Sequence, residues 1–227
     1  RQEYNRVMRN FAMKFRLTLF SLLTIGALVT SAFIPAADES YWARQLRLHG
    51  EMNLPVDALR QSRPTSCGEA VIVMAYNYAY PETPLTEEEV IDYAVGAGYY
   101  TERKFPYTSP ENMLKIAENY AEVVQTGAVM DKDAALDLLL DKLTGGDPVL
   151  IDVLTLLYDP DSGAHFVLVT GIAYDPQNPN DTRIYYNDPL TGENRVNYWE
   201  GGEGIWNAWQ NNGDPGGAGW WMVLPSP

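Results

Sequence analysis

The chain has 227 residues, 46% of them hydrophobic and 20% charged, which suits one domain with a real core. Fifteen Tyr, six Trp and six Phe exclude global disorder. Sixteen Lys and Arg against 30 Asp and Glu give a net charge of −14, the wrong sign for binding nucleic acid. One Cys excludes an intramolecular disulfide, and two His with one Cys are too few for a four-ligand zinc site of those residue types. No cofactor motif or internal repeat is present, so no metal, cofactor or solenoid is expected.

In chain order, Leu17 to Phe33 is an uncharged apolar run preceded by Met13, Lys14 and Arg16 and followed by IPAADES. A basic start, an apolar stretch and small residues predict a signal peptide over residues 1–36, cleaved after Ala36 or Ala32. An uncleaved membrane anchor is the alternative, although spanning usually takes ~20 apolar residues. Residues 1–36 hold five Lys or Arg and one Glu, so the mature chain would keep 11 against 29, a net −18. The expected location is secreted or exposed at the cell envelope, of bacterial type since no disulfide is possible.

Residues 37–53 read as a linker or short helix, and 54–227 as one domain. MNLPVDALRQ is extended and interrupted by Pro55. CGEAVIVMAYNYAY (Cys67 to Tyr80) spaces Ala70, Met74 and Tyr78 four apart, predicting a helix with a wide buried face. Thr86 with Glu89 three residues on is a capping box, and Glu87, Glu88 and Glu89 read as a solvated first turn. Ser109-Pro110 opens a third helix with Met113, Leu114, Ala117 and Tyr120 on one side. Asp131 caps a fourth that carries Leu136, Leu139, Leu140 and Leu143 and stops at Gly145-Gly146. Strands are then predicted at Pro148 to Leu154, His165 to Ala173, Arg183 to Asn187, Arg195 to Trp199 and Trp220 to Leu224. Helices followed by strands predict α+β with a mainly antiparallel sheet. The acidic loops DPDSG and DPQNPND lack the order of a calcium loop, and the tryptophans are expected mainly in the core.

The chemistry centres on Cys67. It stands at the predicted start of a helix, where N–H groups and the dipole favour a thiolate. Gly68 after it allows close approach of backbone to whatever meets the sulfur. Gln61, six residues upstream across Pro64, carries an amide that could donate to an oxyanion beside the Cys67 N–H. The plain reading of Cys67 alone is a small core hydrophobe. His165 at the head of an apolar strand, and Asp188 after the strand RIYYN, shift that balance. Nucleophile, base and orienter on three elements are what nucleophilic acyl transfer needs. Asn187 competes with Asp188 for the orienting role. Period-two alternation sets the two on opposite faces, and a carboxylate holds an imidazolium better.

Gln61, SCG at Ser66 to Gly68, GAHFVLVTG at Gly163 to Gly171 and NDPLTG at Asn187 to Gly192 together resemble papain-like cysteine peptidases. The branch they resemble is the double-glycine leader peptidases and their stand-alone exported relatives, over about Leu54 to Pro225. The resemblance implies a papain-like fold and a triad of Cys67, His165 and Asp188 with Gln61 in the oxyanion hole. It also implies a closing helix around Trp206 and Trp209 and a peptide or protein substrate. The leader-processing members carry a transporter and an ATPase; no such segment or GxxxxGK[ST] motif is found here, so cleavage after a double glycine is not implied. Acyl transfer or cell-wall amide hydrolysis on the same triad, and a non-catalytic exported binding module, are the alternatives.

Overall fold

The computed structural model describes residues 39–159 and 161–225; the expected signal segment lies outside them. The first element is helix α1 (Tyr41–His49), with the Ser40 hydroxyl accepting from Ala43 N at 3.0 Å and Gly50 closing it at φ 72°. Strand β1 (Glu51–Asn53) follows directly, so the sheet begins three residues before the expected domain start.

Helix α2 (Cys67–Ala79) is the central helix, with ten of its thirteen residues buried. Its Val71-Ile72-Val73 run is β-branched, at a cost in helix propensity of roughly 0.5 kcal/mol each. Each of those side chains is at most 4% exposed, and burial contributes about 1.5–3 kcal/mol apiece. Packing therefore decides the conformation, and a helix buried on all sides has no polar face to show. Helix α3 (Glu87–Ala97) has the complete capping box, with Thr86 accepting from Glu89 N and Glu89 accepting from Thr86 N. Helix α4 (Pro110–Tyr120) starts with Pro at its first turn behind an Ser109 cap. It buries Met113, Ile116 and Ala117, while Leu114 and Tyr120 are only half buried. The expected stripe was thus rotated by part of a turn. Helix α5 (Lys132–Gly145), capped by Asp131 and closed by Gly146 at φ 97°, buries Ala135, Leu139 and Leu143.

The remaining strands are β2 (Gln125–Ala128), β3 (Val149–Leu154), β4 (Ala164–Ala173), β5 (Arg183–Asp188), β6 (Glu193–Tyr198) and β7 (Trp220–Val223). Helix α6 (Ile205–Gln210) precedes β7. The sheet runs β2-β7-β3-β4-β5-β6, every pair antiparallel, with β1 added to β4 beyond the end of β3. At that junction a Cβ on Gly171 would lie 2.3 Å from the Met52 carbonyl oxygen, so only glycine lets β1 pair there. The fold is α+β, as expected. Strand β2 (QTGA) was not predicted, because it has neither alternation nor β-branched density.

The sheet separates two apolar clusters. Helices α2, α3 and α4 cover one face, against Leu150, Phe166, Leu168 and Met222. Helices α5 and α6 cover the other, against Ile151, Val153, Val167 and Val169. Trp199, Trp206 and Trp209 pack together there, with centroids 5.6–6.5 Å apart. No helix among the described residues is long and apolar enough to cross a membrane.

Candidate active site

The predicted triad residues come from three elements that end at one place. Cys67 is the first residue of α2 and is half buried. His165 is the second residue of β4, opposite Val153 on β3, and is 5% exposed. Asp188 is the last residue of β5, also 5% exposed. The His165 Nε2 lies 2.9 Å from Asp188 Oδ1. The Cys67 side chain acts on the same ring and favours its charged form. Since Nε2 is committed to Asp188, Nδ1 is the nitrogen left for the sulfur.

Asp188 is held on several sides. Its Oδ1 also accepts from Leu190 N at 2.9 Å, and its Oδ2 accepts from Arg195 Nη1 at 3.0 Å. Burial works against its charge, but the His165 bond, the imidazolium and the Arg195 bond outweigh it and hold the carboxyl at about 2. Burial likewise opposes a charged His165. The bonds from Asp188 and Cys67 and their charges win, and the imidazole is pushed up to about 9. Asn187 has other work: its amide donates to Val56 O at 3.0 Å and accepts from Asn194 at 2.8 Å.

The Asp188 turn also fixes Gln61. Gly192 at φ 71° closes that turn through Gly192 N to Asp188 O at 2.8 Å, and Gln61 N donates to Pro189 O at 2.8 Å. The Gln61 side-chain Nε2 donates to Arg63 O at 2.7 Å, which leaves the second amide hydrogen, while Oε1 is buried without a partner. Ser66, at the cap position of α2, makes no side-chain bond to the helix start. Its hydroxyl instead donates to Glu87 Oε1 at 2.7 Å. The first helical backbone bond is Ala70 N to Ser66 O, so the Cys67 N–H precedes the ladder and remains for a ligand.

One expectation changes here. Glu87 is not a solvated first-turn residue: it is 9% exposed and accepts from Ser66 Oγ and from Ser62 N at 2.9 Å. It therefore pins the loop that carries the cysteine. Gly68 is also closely packed: a Cβ there would lie 2.6 Å from Met113 Sδ and 3.4 Å from Phe166 Cδ2. The capping-box spacing drew attention to Glu89 and away from Glu87.

Pattern reading missed three further acids near the cysteine. Glu69 is fully buried; its Oε1 accepts from Thr108 Oγ1 at 2.7 Å, its Oε2 has no partner, and burial pushes it up to about 7. Asp152, in the middle of the fully buried β3, has no donor on either oxygen. Asp214 has none on Oδ1. A carboxylate inside the apolar string PVLIDVL was a legible signal, because such a group is rarely buried without purpose.

Two cavities adjoin the triad. One of about 260 Å³ opens on the His165 side, lined by Leu156, Tyr158, Asp188, Arg195 and Glu203. A narrow one of about 20 Å³ opens on the Cys67 side. A larger cavity, about 810 Å³ between α1 and α5, is lined by none of the three residues. No group of three or more potential metal ligands occurs among the described residues. No protein-family model matches the sequence, and no curated protein matches it.

Proposed function

We propose that this chain is a thiol-dependent hydrolase of papain-like fold, exported to the cell envelope or beyond, that cleaves peptide amide bonds. The observation that carries the reading is a buried imidazole bonded to an Asp188 that is itself fixed by Arg195 and Leu190, with Cys67 acting on the same ring. A buried ion pair of this kind is weak evidence for stability alone, whereas acyl transfer needs this order of groups.

In this reading the Cys67 sulfur attacks the carbonyl carbon, and the carbonyl π pair moves onto oxygen. The Cys67 N–H and the free amide hydrogen of Gln61 stabilise that oxyanion. The His165 imidazolium gives its Nδ1 proton to the departing amine as the C–N bond breaks, leaving a thioester on Cys67. A water then attacks the thioester, His165 takes its proton, and the acid leaves while the thiolate re-forms. Asp188 stays ionised throughout and holds the ring.

A peptide-library cleavage profile of the wild type, with Cys67→Ala as blank, tests the proposal. Cleavage lost in Cys67→Ala supports it. Equal activity in both, or a folded wild type whose Cys67 alkylates only after denaturation, leaves the binding-module reading in its place. Acyl transfer and cell-wall amide hydrolysis would use the same thioester and would appear as products other than cleaved peptide.

A further inference from the structure

The floor of the cleft on the Cys67 side is acidic and has no Lys or Arg partner among the described residues. Asp152 points from β3 towards the face covered by α2, as its register partner Phe166 does. Asp214 lies in the loop before β7. The two side chains meet over Gly217: a Cβ built there would lie 2.2 Å from Asp152 Oδ2 and 3.0 Å from Asp214 Cβ. Both residues are buried, Asp152 completely and Asp214 to 6% exposure. Three of their four oxygens have no hydrogen-bond donor. Neither takes part in a Lys or Arg ion pair among the described residues.

Two carboxyl groups in contact and out of water cannot both stay ionised, so one proton is shared and one negative charge remains. Leaving that charge without a counterion is costly. Burial raises both acids, and the charge of each neighbouring group acts on Asp152: Asp214 against ionisation, His165 in favour. The His165 ring is already committed to Asp188 and Cys67.

Asp214 lines the 20 Å³ cavity together with Cys67, Gly68, Thr108 and Phe166. That space holds about one water. A space of that size suits a compact ammonium group better than a planar guanidinium. Glu69 does not line it, although its Oε1 accepts from Thr108, which does.

We infer that Asp214, backed by Asp152, forms a subsite beside Cys67 that takes a primary ammonium group of the substrate. The inference rests on the proposed hydrolase for the identity of the occupant as substrate, but the subsite itself can be tested without catalysis. The ammonium is that of a lysine side chain or of a free peptide N-terminus, and acetylation tells the two apart.

The test is calorimetric binding of pentapeptides to the full-length Cys67→Ala protein. Each position is scanned with lysine, norleucine and 6-hydroxynorleucine, with free and acetylated N-termini. A charged contact in so dry a place predicts about ten- to hundredfold tighter binding of lysine than of either neutral analogue at one position, or of the free over the acetylated terminus. Adding Asp214→Asn should collapse that ratio to near one. The neutral analogues make the same comparison on an unmutated floor if Asp214→Asn does not fold. Equal binding of charged and neutral peptides, no binding of any peptide, or a ratio that survives Asp214→Asn overturns the subsite. Cleavage by the wild type is measured alongside. Cleavage without ammonium preference sinks the subsite and leaves the hydrolase. Ammonium-selective binding without cleavage sinks the hydrolase and leaves the subsite.

Discussion

His165 and Asp188 set the pH behaviour of the site through opposite shifts. His165 is raised from 6.5 to about 9, so its stabilising contribution is full below about pH 6.5 and is lost as pH rises through 9. Asp188 is lowered from 3.8 to about 2, so its contribution is full above about pH 4 and is lost as pH falls towards 2. The denaturant midpoint of the wild type should therefore fall on both flanks, and that of His165→Ala should lack the alkaline fall between 6.5 and 9. A wild-type midpoint flat from pH 6.5 to 9.5 would contradict the imidazolium pair. Asp188→Asn should lower turnover by about 10²–10⁴, and Asn187→Ala far less, since its amide braces Val56 rather than the ring. Arg195 is a positioning residue with a half-exposed side chain. Replacing it with Met leaves His165 and Leu190 on Asp188, so a loss of about three- to tenfold is expected. The alkaline limb of the alkylation profile should shift with it, and Arg195→Lys should recover part of the effect.

At the scale of elements, the triad depends on how α3 grips the loop before α2. Glu87 accepts from Ser62 N and Ser66 Oγ, and both donors lie in the loop that leads to Cys67. Glu87→Ala leaves Ser62 N without an acceptor and the Ser66 hydroxyl with Arg63 O alone, at 3.1 Å, a loss worth about 1–3 kcal/mol. It should lower stability by roughly that amount and slow Cys67 alkylation further than its stability loss explains. Thr86→Ala, which removes only the helix cap, should cost ~1 kcal/mol and leave alkylation unchanged. If the two variants behaved alike, Glu87 would be a cap residue and nothing more. The contrast marks what was legible in the sequence. Caps and four-residue spacing placed α2, α3, α4 and α5, because local hydrogen bonds and periodic burial are written in adjacent residues. Cys67, His165 and Asp188 were found as chemistry at element ends. Glu87, Arg195 and Asp214 were not, because their roles are set by partners 21, 7 and about 60 residues away in the chain, across packed elements. Strand β2 escaped because QTGA is held in place by β7 rather than by its own preferences.

The whole molecule places the site where the two faces of one sheet are joined. β3 and β4 send Leu150, Phe166 and Leu168 to the α2 side and Ile151, Val153, Val167 and Val169 to the α5 side, so neither core can form fully without the same two strands. His165 sits at the end of β4, and its distance from Cys67 depends on both cores. Five of the six tryptophans, Trp42, Trp199, Trp206, Trp209 and Trp221, belong to the α5 side, whereas Cys67 packs on the α2 side. Urea unfolding followed by tryptophan fluorescence therefore reports mainly one face, and Cys67 labelling by a bulky thiol reagent reports the other. The two curves should coincide in midpoint and slope, as for a single cooperative unit. Ile151→Ala and Leu150→Ala, which open cavities on opposite faces, should each lower both midpoints together, by about 2–5 kcal/mol. If Ile151→Ala moved the fluorescence midpoint while Cys67 protection stayed where it was, the faces would be separable. Helix α2 would then be held by the α3–α4 layer alone, and the shared-strand account would fail.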